Sequence, residues 1–472
     1  MDGTPRPLRR LGQPLVLATL LLLADPRSVD AQTAPDPQGL GFEAARQQLI
    51  QRSDRLAAAQ AATRSAALRA DGVAGLGGPV VSLSGTAYAY NANLRLDTQT
   101  VNQRIGQIEE LLPIPLPLPT LPSPYTVNRQ DSGSSASVSL VWPLYTGGLN
   151  EAAHGLATAR ADEARADAGR TSAELSTLLV QRYFGAQLAA RAAILRESAL
   201  DTISRHDRSA QRMLEAGVIS RVERLQALSA LEDARRNAQK ARDDADLAAT
   251  ALARLIHHDG PVRPSSPLFV NSQPLEPLAR FVDAALQRHP GLALVTAKRQ
   301  EALQLHAAGE AGRRPQVFAF GQRELRTGQA NWVAGIGVRY TLWDGLDRRA
   351  LSDASLQQVE QAERSDAQAR NDIALLVEKN WLAVEQARRQ FLAMAAGIEL
   401  AQEVLRLRQA GLREGTSTPL DLIDAQVNLA KVQTEQAQAA NDYVTALAQL
   451  LESSGQSDEF PAYMARADVK VQ

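Results

Sequence analysis

Few residues in this sequence have the types and spacing that catalysis, metal binding or phosphate binding requires. Cysteine is absent from all 472 residues, which excludes cysteine nucleophiles, thiolate zinc sites and iron–sulfur clusters. His257, His258 and Asp259 are adjacent at the end of a predicted helix, but without other ligands at a suitable spacing they do not indicate a metal site. The phosphate-binding motif G-x-x-x-x-G-K-[ST] is also absent. We therefore predict that the protein is not an enzyme, and we expect no cofactor.

Asp421 and Asp424 are three residues apart within a predicted helix. This spacing puts both carboxylates on one helical face. The helix is predicted to begin at Thr418-Pro419, and acidic side chains are common in the first turn of any helix because they complement the helix dipole. From these residues alone, a solvated acidic helix start is the preferred interpretation, and a functional acidic surface is the alternative.

The charge balance and the N-terminus indicate a compartment. Lys and Arg total 51 and Asp and Glu total 52, so no basic surface predicts a nucleic-acid partner. Three arginines precede the apolar run Leu15–Ala24, and small residues at Val29 and Ala31 follow it. This pattern predicts a secretory signal peptide that is cleaved after Ala31. No segment reaches the ~20 apolar residues of a spanning helix, so a membrane location would require a closed β-barrel.

The chain repeats itself, and the repeat defines its organisation. Leu140–Gly147 aligns with Val338–Gly345, and Glu215–Ala227 aligns with Arg413–Ala425, both at an offset of 198 residues. Upstream segments match at an offset of 236, so the first copy carries 38 extra residues, which include a proline-rich stretch. The predicted organisation is a signal peptide (1–31), a first repeat (32–259), a linker (260–275), a second repeat (276–455) and a C-terminal tail (456–472).

Each repeat is predicted to contain a helix, two β-strands, a very long helix, a tight turn and a returning helix. Alanine and aliphatic residues recur at three-to-four spacing, which is typical of helices that pack as a coiled-coil-like hairpin. The long helices are predicted over Leu149–Ala216 and Leu346–Glu414, roughly 100 Å each at 1.5 Å per residue. Glycine suits the left-handed residue at such a helix end. This places the turns at Gly217–Ser220 and Gly415–Thr418, and the first helices at Phe42–Ala70 and Leu278–Ala311.

The strand segments have a period of two. Around Leu140 and Ile336, apolar residues alternate with small or polar ones, which is the pattern of a membrane β-barrel wall. Aromatic residues concentrate in the same segments, as expected for girdles at the two bilayer interfaces. The interface aromatics would be Trp142, Tyr145, Trp332, Tyr340 and Trp343. A half-buried sheet in a soluble domain is the alternative.

Four strands per chain cannot close a barrel, because ~8 strands are the working minimum. Three chains would supply twelve strands, and enough long helices to continue the barrel as a tube. We therefore predict a mainly α-helical fold with a membrane β-barrel. In this homotrimer, long helical hairpins form a periplasmic tunnel and four β-strands per chain complete a 12-stranded barrel.

From about residue 40 to residue 455, the chain resembles the TolC family of outer-membrane channel-tunnel proteins. The resemblance rests on the duplication, the strand-to-helix junctions Pro143–Gly148 and Thr341–Gly345, and the tips. Its most specific stretch is Gly415-x-x-x-Pro-Leu-Asp421-Leu-Ile-Asp424-Ala-Gln. It implies a trimeric channel in the outer membrane that extends into the periplasm. In its absence of a lipid-acceptor cysteine, the chain resembles the TolC and type I secretion members rather than the lipidated drug-efflux branch.

The function implied by the resemblance is that of the outer-membrane exit channel of a type I protein secretion system, which exports a polypeptide such as an RTX-type toxin. The implied partners are two further copies of the chain, a periplasmic adaptor (membrane fusion) protein, an inner-membrane ABC transporter reached through that adaptor, the exported protein and outer-membrane lipid. The alternatives are the outer-membrane channel of a multidrug efflux pump and a soluble periplasmic coiled-coil adaptor.

The resemblance also implies roles for individual residues. Asp421 and Asp424 would line a periplasmic constriction, where three chains bring six carboxylates around one axis and favour cations. The adaptor would dock on the tips, which are Gly217, Val218, Ile219, Ser220, Gly415, Thr416, Ser417 and Thr418. The family's closed-state lock is not matched, because Ser417 and Leu412 occupy its basic and aromatic positions. Substitute gate partners would be Arg221, Glu223, Arg224 and Arg413.

Overall fold

The computed structural model describes residues 39–110, 118–325 and 331–471. The predicted signal peptide, with its cleavage site at Ala31, and the first part of the proline-rich stretch lie outside these residues. From Gly39 onward, the described residues belong to one compact unit.

Helices make up most of this unit. In chain order they are α1 (Phe42–Arg52), α2 (Asp54–Gly72), α3 (Gln99–Glu110), α4 (Leu149–Glu215), α5 (Arg221–Leu255), α6 (Leu278–Arg288), α7 (Pro290–Ala311), α8 (Arg348–Ala393), α9 (Ala395–Glu414), α10 (Pro419–Ser453) and α11 (Phe460–Ala465). The strands are β1 (Val80–Leu96), β2 (Tyr125–Tyr145), β3 (Leu268–Val270), β4 (Gln316–Glu324), β5 (Trp332–Arg339) and β6 (Val469–Val471). A strand pair followed by a long helix and a returning helix therefore occurs twice.

The helices that open each repeat are divided where the sequence predicted single helices. Ser53 separates α1 from α2, and its hydroxyl accepts a hydrogen bond from the amide of Leu56. His289 separates α6 from α7, and its Nδ1 atom accepts a hydrogen bond from the amide of Gly291 at 3.0 Å. The predictions of unbroken helices are wrong at these two residues, because a side chain that caps a new helix also ends the preceding one.

The long helix of the first repeat matches its prediction closely. Helix α4 has 67 residues, roughly 100 Å at 1.5 Å per residue, and α5 returns along it. The long helix of the second repeat begins at Arg348, because the carboxylate of Asp347 caps the amides of Arg349 and Ala350. It is then interrupted at Met394, whose amide bonds to the carbonyl of Phe391 in a tightened turn. The prediction of one continuous helix over Leu346–Glu414 is therefore wrong in these two details.

The four longer strands form one antiparallel sheet in the order β1-β2-β4-β5. Strands β1 and β2 have 17 and 21 residues, whereas β4 and β5 have 9 and 8. The extra residues of the first repeat thus lengthen one hairpin and add α3. Strand β2 pairs with β4 only from Ser137 to Tyr145, so its earlier residues pair with β1 alone.

The segments 260–275 and 456–471 are structured together. Strand β3 lies in the first segment and pairs antiparallel with β6 of the C-terminal segment. Helix α11 precedes β6 and buries Phe460 and Tyr463 in the main core. The proline and serine content of the first segment favoured a plain linker, but the apolar run Leu268–Val270 is fully buried.

The main core lies where α1, α4, α10 and the small β3–β6 sheet meet. Its centre is an aromatic cluster in which neighbouring ring centroids are 5.1 to 6.3 Å apart, formed by Phe42, Tyr183, Phe184, Phe269, Tyr443 and Phe460. Along the hairpins, small residues such as Ala210 and Ala227 are buried instead, which lets the helices approach closely. No helix in the parts of the chain that the structure describes is both long and apolar enough to cross a membrane.

Candidate functional site: an uncovered sheet and two helix tips

The four-stranded sheet has little cover on either face. Strand β1 is exposed at every position, and β5 is exposed at all but two. Large apolar side chains are among the exposed ones, for example Leu83 at 71% and Ile336 at 71%. A sheet in a soluble domain buries at least one face against a core. The half-buried soluble sheet considered from the sequence is therefore not what the chain forms.

The strand register divides the side chains of this sheet into two faces. Residues directly opposite each other in antiparallel strands point to the same side. One side, named the valine face here, carries Val81, Leu83, Val138, Leu140, Trp142, Val317, Ala319, Ala334, Ile336 and Val338. Apolar residues of both repeats thus meet on this face, with Arg323 as its charged member among these strands. Val80, Val141, Phe318, Phe320 and Val333 lie on the opposite face.

The opposite side, named the serine face here, carries Ser82, Ser84, Ser137, Ser139 and Gln322. Its hydroxyls pair across the strands, with 2.7 Å between the oxygens of Ser82 and Ser139 and 3.0 Å between those of Ser84 and Ser137. The amide of Gln322 donates to the Ser137 hydroxyl at 3.2 Å. A mainly apolar face opposite a face with hydrogen-bonded polar groups is the arrangement of a strand that separates lipid from water.

The predicted interface aromatics are exposed at the margins of the valine face. Trp332 begins β5, while Tyr340 and Trp343 follow its end. The eight residue steps from Trp332 to Tyr340 cover roughly 27 Å at ~3.3 Å per residue, close to the thickness of a bilayer core. In the first repeat, Trp142 donates its indole N–H to the carbonyl of Gly77 at 3.0 Å, and Tyr145 pairs with Val317.

The first helix tip joins α4 to α5. Gly217 has a φ of 73°, and its amide donates to the carbonyl of Leu214 at 2.9 Å. The amide of Val218 donates to the carbonyl of Met213 at 2.8 Å, which completes the hydrogen-bond pair of a glycine-terminated helix. Ser220 and Glu223 then begin α5 with a reciprocal capping box.

The second tip joins α9 to α10 and has the same design. Gly415 has a φ of 75°, and the carbonyl of Gly411 accepts the amides of Thr416 and Ser417 at 2.8 and 3.2 Å. Thr418 and Asp421 form the capping box of α10. The two boxes are separated by the same 198 residues that relate the repeats, so Glu223 and Asp421 are equivalent positions. The sequence therefore predicted both turns correctly.

Asp421 and Asp424 have different surroundings. Asp421 accepts hydrogen bonds from the amide and the hydroxyl of Thr418 at 2.9 and 2.8 Å, and Arg408 lies 3.7 Å from its carboxylate. These contacts, the Thr418 amide foremost, hold the pKa of Asp421 below its ordinary value. Asp424 is exposed and lines a groove beside Asp233 and Arg196. One carboxylate thus starts the helix, and the other faces solvent.

The predicted gate partners also differ in their surroundings. Arg224 donates to the carboxylate of Asp207 on α4 at 2.6 Å and to the side-chain oxygen of Gln211 at 2.6 Å. The Arg224 and Asp207 side chains are only 16% and 11% exposed, so this ion pair ties the first hairpin together. Arg221 and Arg413 are exposed beside the tips, and Leu412 and Ser417 are half-buried. Glu223 is occupied by its cap, and the Ser220 amide lowers its pKa.

The two tips lie at the same end of the molecule. Ile423, five residues after the second tip turn, packs in one cluster with Ile203, Ala227 and Leu231 of the first hairpin. Ile219 of the first tip packs against the same cluster. The docking residues expected from the sequence are therefore brought together, with Val218 65% exposed at the first tip.

The capping roles of Glu223 and Asp421 were missed by the sequence reasoning. Their signal is present in the sequence, as Ser220-x-x-Glu223 and Thr418-x-x-Asp421. A hydroxyl residue followed three positions later by an acidic one, at the start of a helix, is the usual signature of a capping box. The Arg224–Asp207 pair has no comparable signal, because its members are 17 residues apart on different helices.

Comparison with known proteins identifies the family. A model of the outer membrane efflux protein family matches residues 45–257 and 281–456. The chain belongs to this family. It is an outer-membrane protein that extends into the periplasm. This location disagrees with the soluble periplasmic adaptor considered from the sequence. The family and the solved structures that share its fold are channel proteins rather than enzymes.

Two curated relatives match about half of the chain. Protein CyaE of Bordetella pertussis is 29% identical over 277 residues, which cover 53% of this chain and 56% of the relative. The outer membrane efflux protein BepC of Brucella suis is 25% identical over 273 residues, which cover 56% and 59%. The aligned regions thus span less than two thirds of either relative.

Solved outer-membrane channels share the fold. CusC has a TM-score of 0.73 at 14% identity, over 88% of this chain and 92% of CusC. The CmeC channel of Campylobacter jejuni has a TM-score of 0.71 at 11% identity, over 91% and 90%. The MtrE channel of Neisseria gonorrhoeae has a TM-score of 0.70 at 16% identity, over 88% and 89%. The expected resemblance to TolC-type channels is therefore confirmed for the fold.

Proposed function

We propose that the protein is the exit channel of a type I protein secretion system and works as a homotrimer. The observation that carries the proposal is the uncovered four-stranded sheet. Its two faces are exposed, and β1 and β5 stand at the ends of the strand order. Strand edges in lipid leave backbone groups unpaired at several kcal/mol each, so such a sheet must close on further strands. Four strands from each of three chains give a barrel of twelve.

In this arrangement the valine face contacts lipid and the serine face lines the lumen. The strands enter the helices at residues 145–149, so the barrel continues directly into a tunnel of α-helices on the periplasmic side. The mass of the detergent-solubilised protein tests the assembly. A trimer of the 50.8 kDa chain, less any cleaved signal peptide, is expected. A monomer or a dimer would contradict the closed barrel.

The tips are proposed to dock a periplasmic adaptor, which couples the tunnel to an inner-membrane ABC transporter. Both tip turns lie at the end of the hairpins farthest from the sheet, and both expose short side chains and backbone. A photo-cross-linking residue at Val218 or Thr416 should capture the adaptor. The same residue at Ser365, on the exposed face of α8 away from the tips, is the matched control. Equal capture at all three positions would contradict tip docking.

The periplasmic constriction is proposed to depend on Asp424 more than on Asp421. The Asp424 carboxylate is exposed, whereas the Asp421 carboxylate already accepts two hydrogen bonds from Thr418. Three copies of Asp424 around the axis would favour cations. In planar bilayers, Asp424→Asn should reduce cation selectivity and block by divalent cations, while Asp421→Asn should change them less. Unchanged selectivity in both variants would mean that neither carboxylate acts at the constriction and that both belong to a solvent-exposed helix face.

Export of a polypeptide is the proposed transport class. It is supported by the similarity to protein CyaE and by the hydroxyl and amide groups on the proposed lumen face, which can bond to an extended chain of any sequence. Deletion of the gene in the native host should remove specific proteins from the culture medium, and a plasmid copy should restore them. Unchanged secreted proteins would contradict this class.

Drug efflux is the second candidate, because BepC is described as an efflux protein. The same deletion strain distinguishes the two. Efflux predicts at least a fourfold fall in the inhibitory concentration of several unrelated drugs and no change in secreted protein. Secretion predicts the reverse pattern.

A further inference from the structure

The distal part of the β1–β2 hairpin extends beyond the four-stranded sheet. Residues Gly85–Leu96 pair only with Tyr125–Ala136, and this two-stranded unit is named the distal ribbon here. Its far end is tied to α3, because the side chain of Asn102 in α3 exchanges two hydrogen bonds with the backbone of Leu121 at 2.6 and 2.9 Å. The ribbon leaves the sheet at the end opposite the long helices α4 and α8. It therefore projects outside the cell if the helices lie in the periplasm.

The polarity of the two faces is exchanged along this hairpin. Within the four-stranded part, the valine face is mainly apolar, and the serine face carries the paired hydroxyls together with Val141, Phe318 and Phe320 nearer the long helices. In the distal ribbon, the continuation of the valine face carries Asn91, Asn93, Asn128, Gln130 and Ser132. The continuation of the serine face carries Tyr88, Tyr90, Leu94, Leu96, Tyr125 and Val127. The pairing runs through all 17 residues of β1 without a register shift, so residue parity assigns these faces throughout.

The apolar face of the ribbon is exposed in the single chain. Leu94 is 55% exposed and Tyr88 is 47% exposed. Tyr88 and Tyr90 stack with their ring centroids 6.3 Å apart, and the Tyr88 ring covers Gly133 so closely that an added Cβ would lie 2.9 Å from its hydroxyl oxygen. An exposed apolar surface of this kind on a ribbon that leaves the membrane marks an interaction site.

We propose that the distal ribbons of three copies pack together through this apolar face and close the extracellular mouth of the channel. The inference rests on the proposed trimeric barrel. In that barrel the serine face looks toward the axis, so its continuation does too, and the surfaces that meet it there are the ribbons of the other two copies. Arg129 and Asp131 lie on the same face two residues apart, where Arg129 of one copy can meet Asp131 of the next.

Disulfide trapping tests the contact, because the chain has no cysteine of its own. Tyr90→Cys, Leu94→Cys and Val127→Cys are made singly, with Asn93→Cys as the matched control on the other face. After oxidation of whole cells, at least one of the three should give tenfold more covalent dimer than the control. Such bonds form only where Cα atoms approach within about 7 Å. A membrane-impermeant maleimide should label Asn93→Cys in intact cells.

The channel readout is independent of disulfide geometry. Tyr88→Ser combined with Tyr90→Ser should raise single-channel conductance at least twofold and admit a large hydrophilic antibiotic such as vancomycin. Asn91→Ser combined with Asn93→Ser should change neither. The closure is overturned if the protein is trimeric and reacts with the maleimide, but the three cysteine variants cross-link no better than the control. The proposed function would remain intact. Preferential reaction of Leu94→Cys with a hydrocarbon-soluble maleimide would instead show a lipid-facing ribbon. Absence of a trimer would overturn both proposals.

Discussion

Thr418 and Asp421 hold each other at the start of α10. The amide of Asp421 donates to the hydroxyl of Thr418 at 3.1 Å, and the amide of Thr418 donates to the carboxylate of Asp421 at 2.9 Å. Ser220 and Glu223 make the same exchange at 3.2 and 2.7 Å. Each tip of the proposed tunnel thus contains one acidic capping box. The acidic residue at this position has a structural role in starting the helix, independent of any role in the pore.

These caps make the tips sensitive to acid. The pKa values of Asp421 and Glu223 are lowered in the folded protein by hydrogen bonds from Thr418 and Ser220. A lowered folded pKa contributes stability that is present above the unfolded value and is lost as the pH falls through the folded value. The ordinary pKa values are 3.8 for Asp421 and 4.5 for Glu223. The tips should therefore stay ordered near neutral pH and should lose order as the pH falls below these values. A spin label at Thr416→Cys should become more mobile in that range.

A non-titrating cap provides the control for this experiment. Glutamine at position 223 and asparagine at position 421 can still accept the amide hydrogen bonds but carry no proton equilibrium. The double variant Glu223→Gln with Asp421→Asn should therefore show label mobility that does not change between pH 6 and pH 3. Mobility that still rises in acid would mean that other carboxylates order the tips.

The sequence predicted the elements whose signals are local. The αL glycines 217 and 415, the 67-residue helix α4 and the alternating strands all follow from residue type and period. Contacts between distant segments were not predictable in this way. Strand β3 is three residues long, and its partner β6 lies about two hundred residues later, so neither has a periodic signal of its own. The side on which each strand residue lies was predictable, but the distal exchange of polarity depends on the register of two strands.

Gly411 is predicted to be essential for the second tip. Its carbonyl accepts both tip amides, and a Cβ added there would lie 2.5 Å from the Ser417 hydroxyl oxygen and 2.9 Å from that of Thr416. Gly411→Ala should therefore force the Ser417 and Thr416 side chains to move at the tip surface and reduce adaptor cross-linking severalfold. Gly397→Ala in the same helix α9 is the control, because an added Cβ meets nothing within 4 Å and alanine favours the helix by about 1 kcal/mol. Equal cross-linking by both variants would contradict the role of the turn.

Arg224 is predicted to stabilise the first hairpin rather than to act as a gate. Arg224→Met leaves the Asp207 carboxylate without its cation in a mostly buried site, which should destabilise the hairpin by about 3 kcal/mol. The double variant Arg224→Met with Asp207→Leu should recover most of that loss, since no unpaired charge remains. Arg221→Ala, at an exposed position, should stay within about 0.5 kcal/mol. The rate of protease cleavage of the α4–α5 hairpin measures the relative stability of these variants. If Arg224→Met changes channel opening without any change in cleavage, Arg224 has a gating role instead.

The C-terminal segment is predicted to be part of the folding core. Phe460 is 3% exposed and packs on Phe42, Phe184 and Phe269, with ring centroids 5.1, 6.0 and 5.9 Å away. Phe460→Ala removes a ring from a cluster that joins α1, α4 and β3, so it should cost about 3–5 kcal/mol. The amount of protein that reaches the outer membrane should fall severalfold, and its thermal unfolding midpoint should fall with it.

Lys470→Ala is the matched control in the same segment, because Lys470 is exposed on β6 and only its backbone pairs with β3. Removal of residues 456–471 should reproduce the Phe460→Ala defect or exceed it, since it uncovers the buried strand β3 as well. If truncation leaves the thermal midpoint and the outer-membrane level unchanged, the aromatic cluster is stable without its C-terminal member. The hydrophobic contribution of Phe460 would then be replaced by repacking of Phe42 and Phe269, which a change in near-ultraviolet circular dichroism would report.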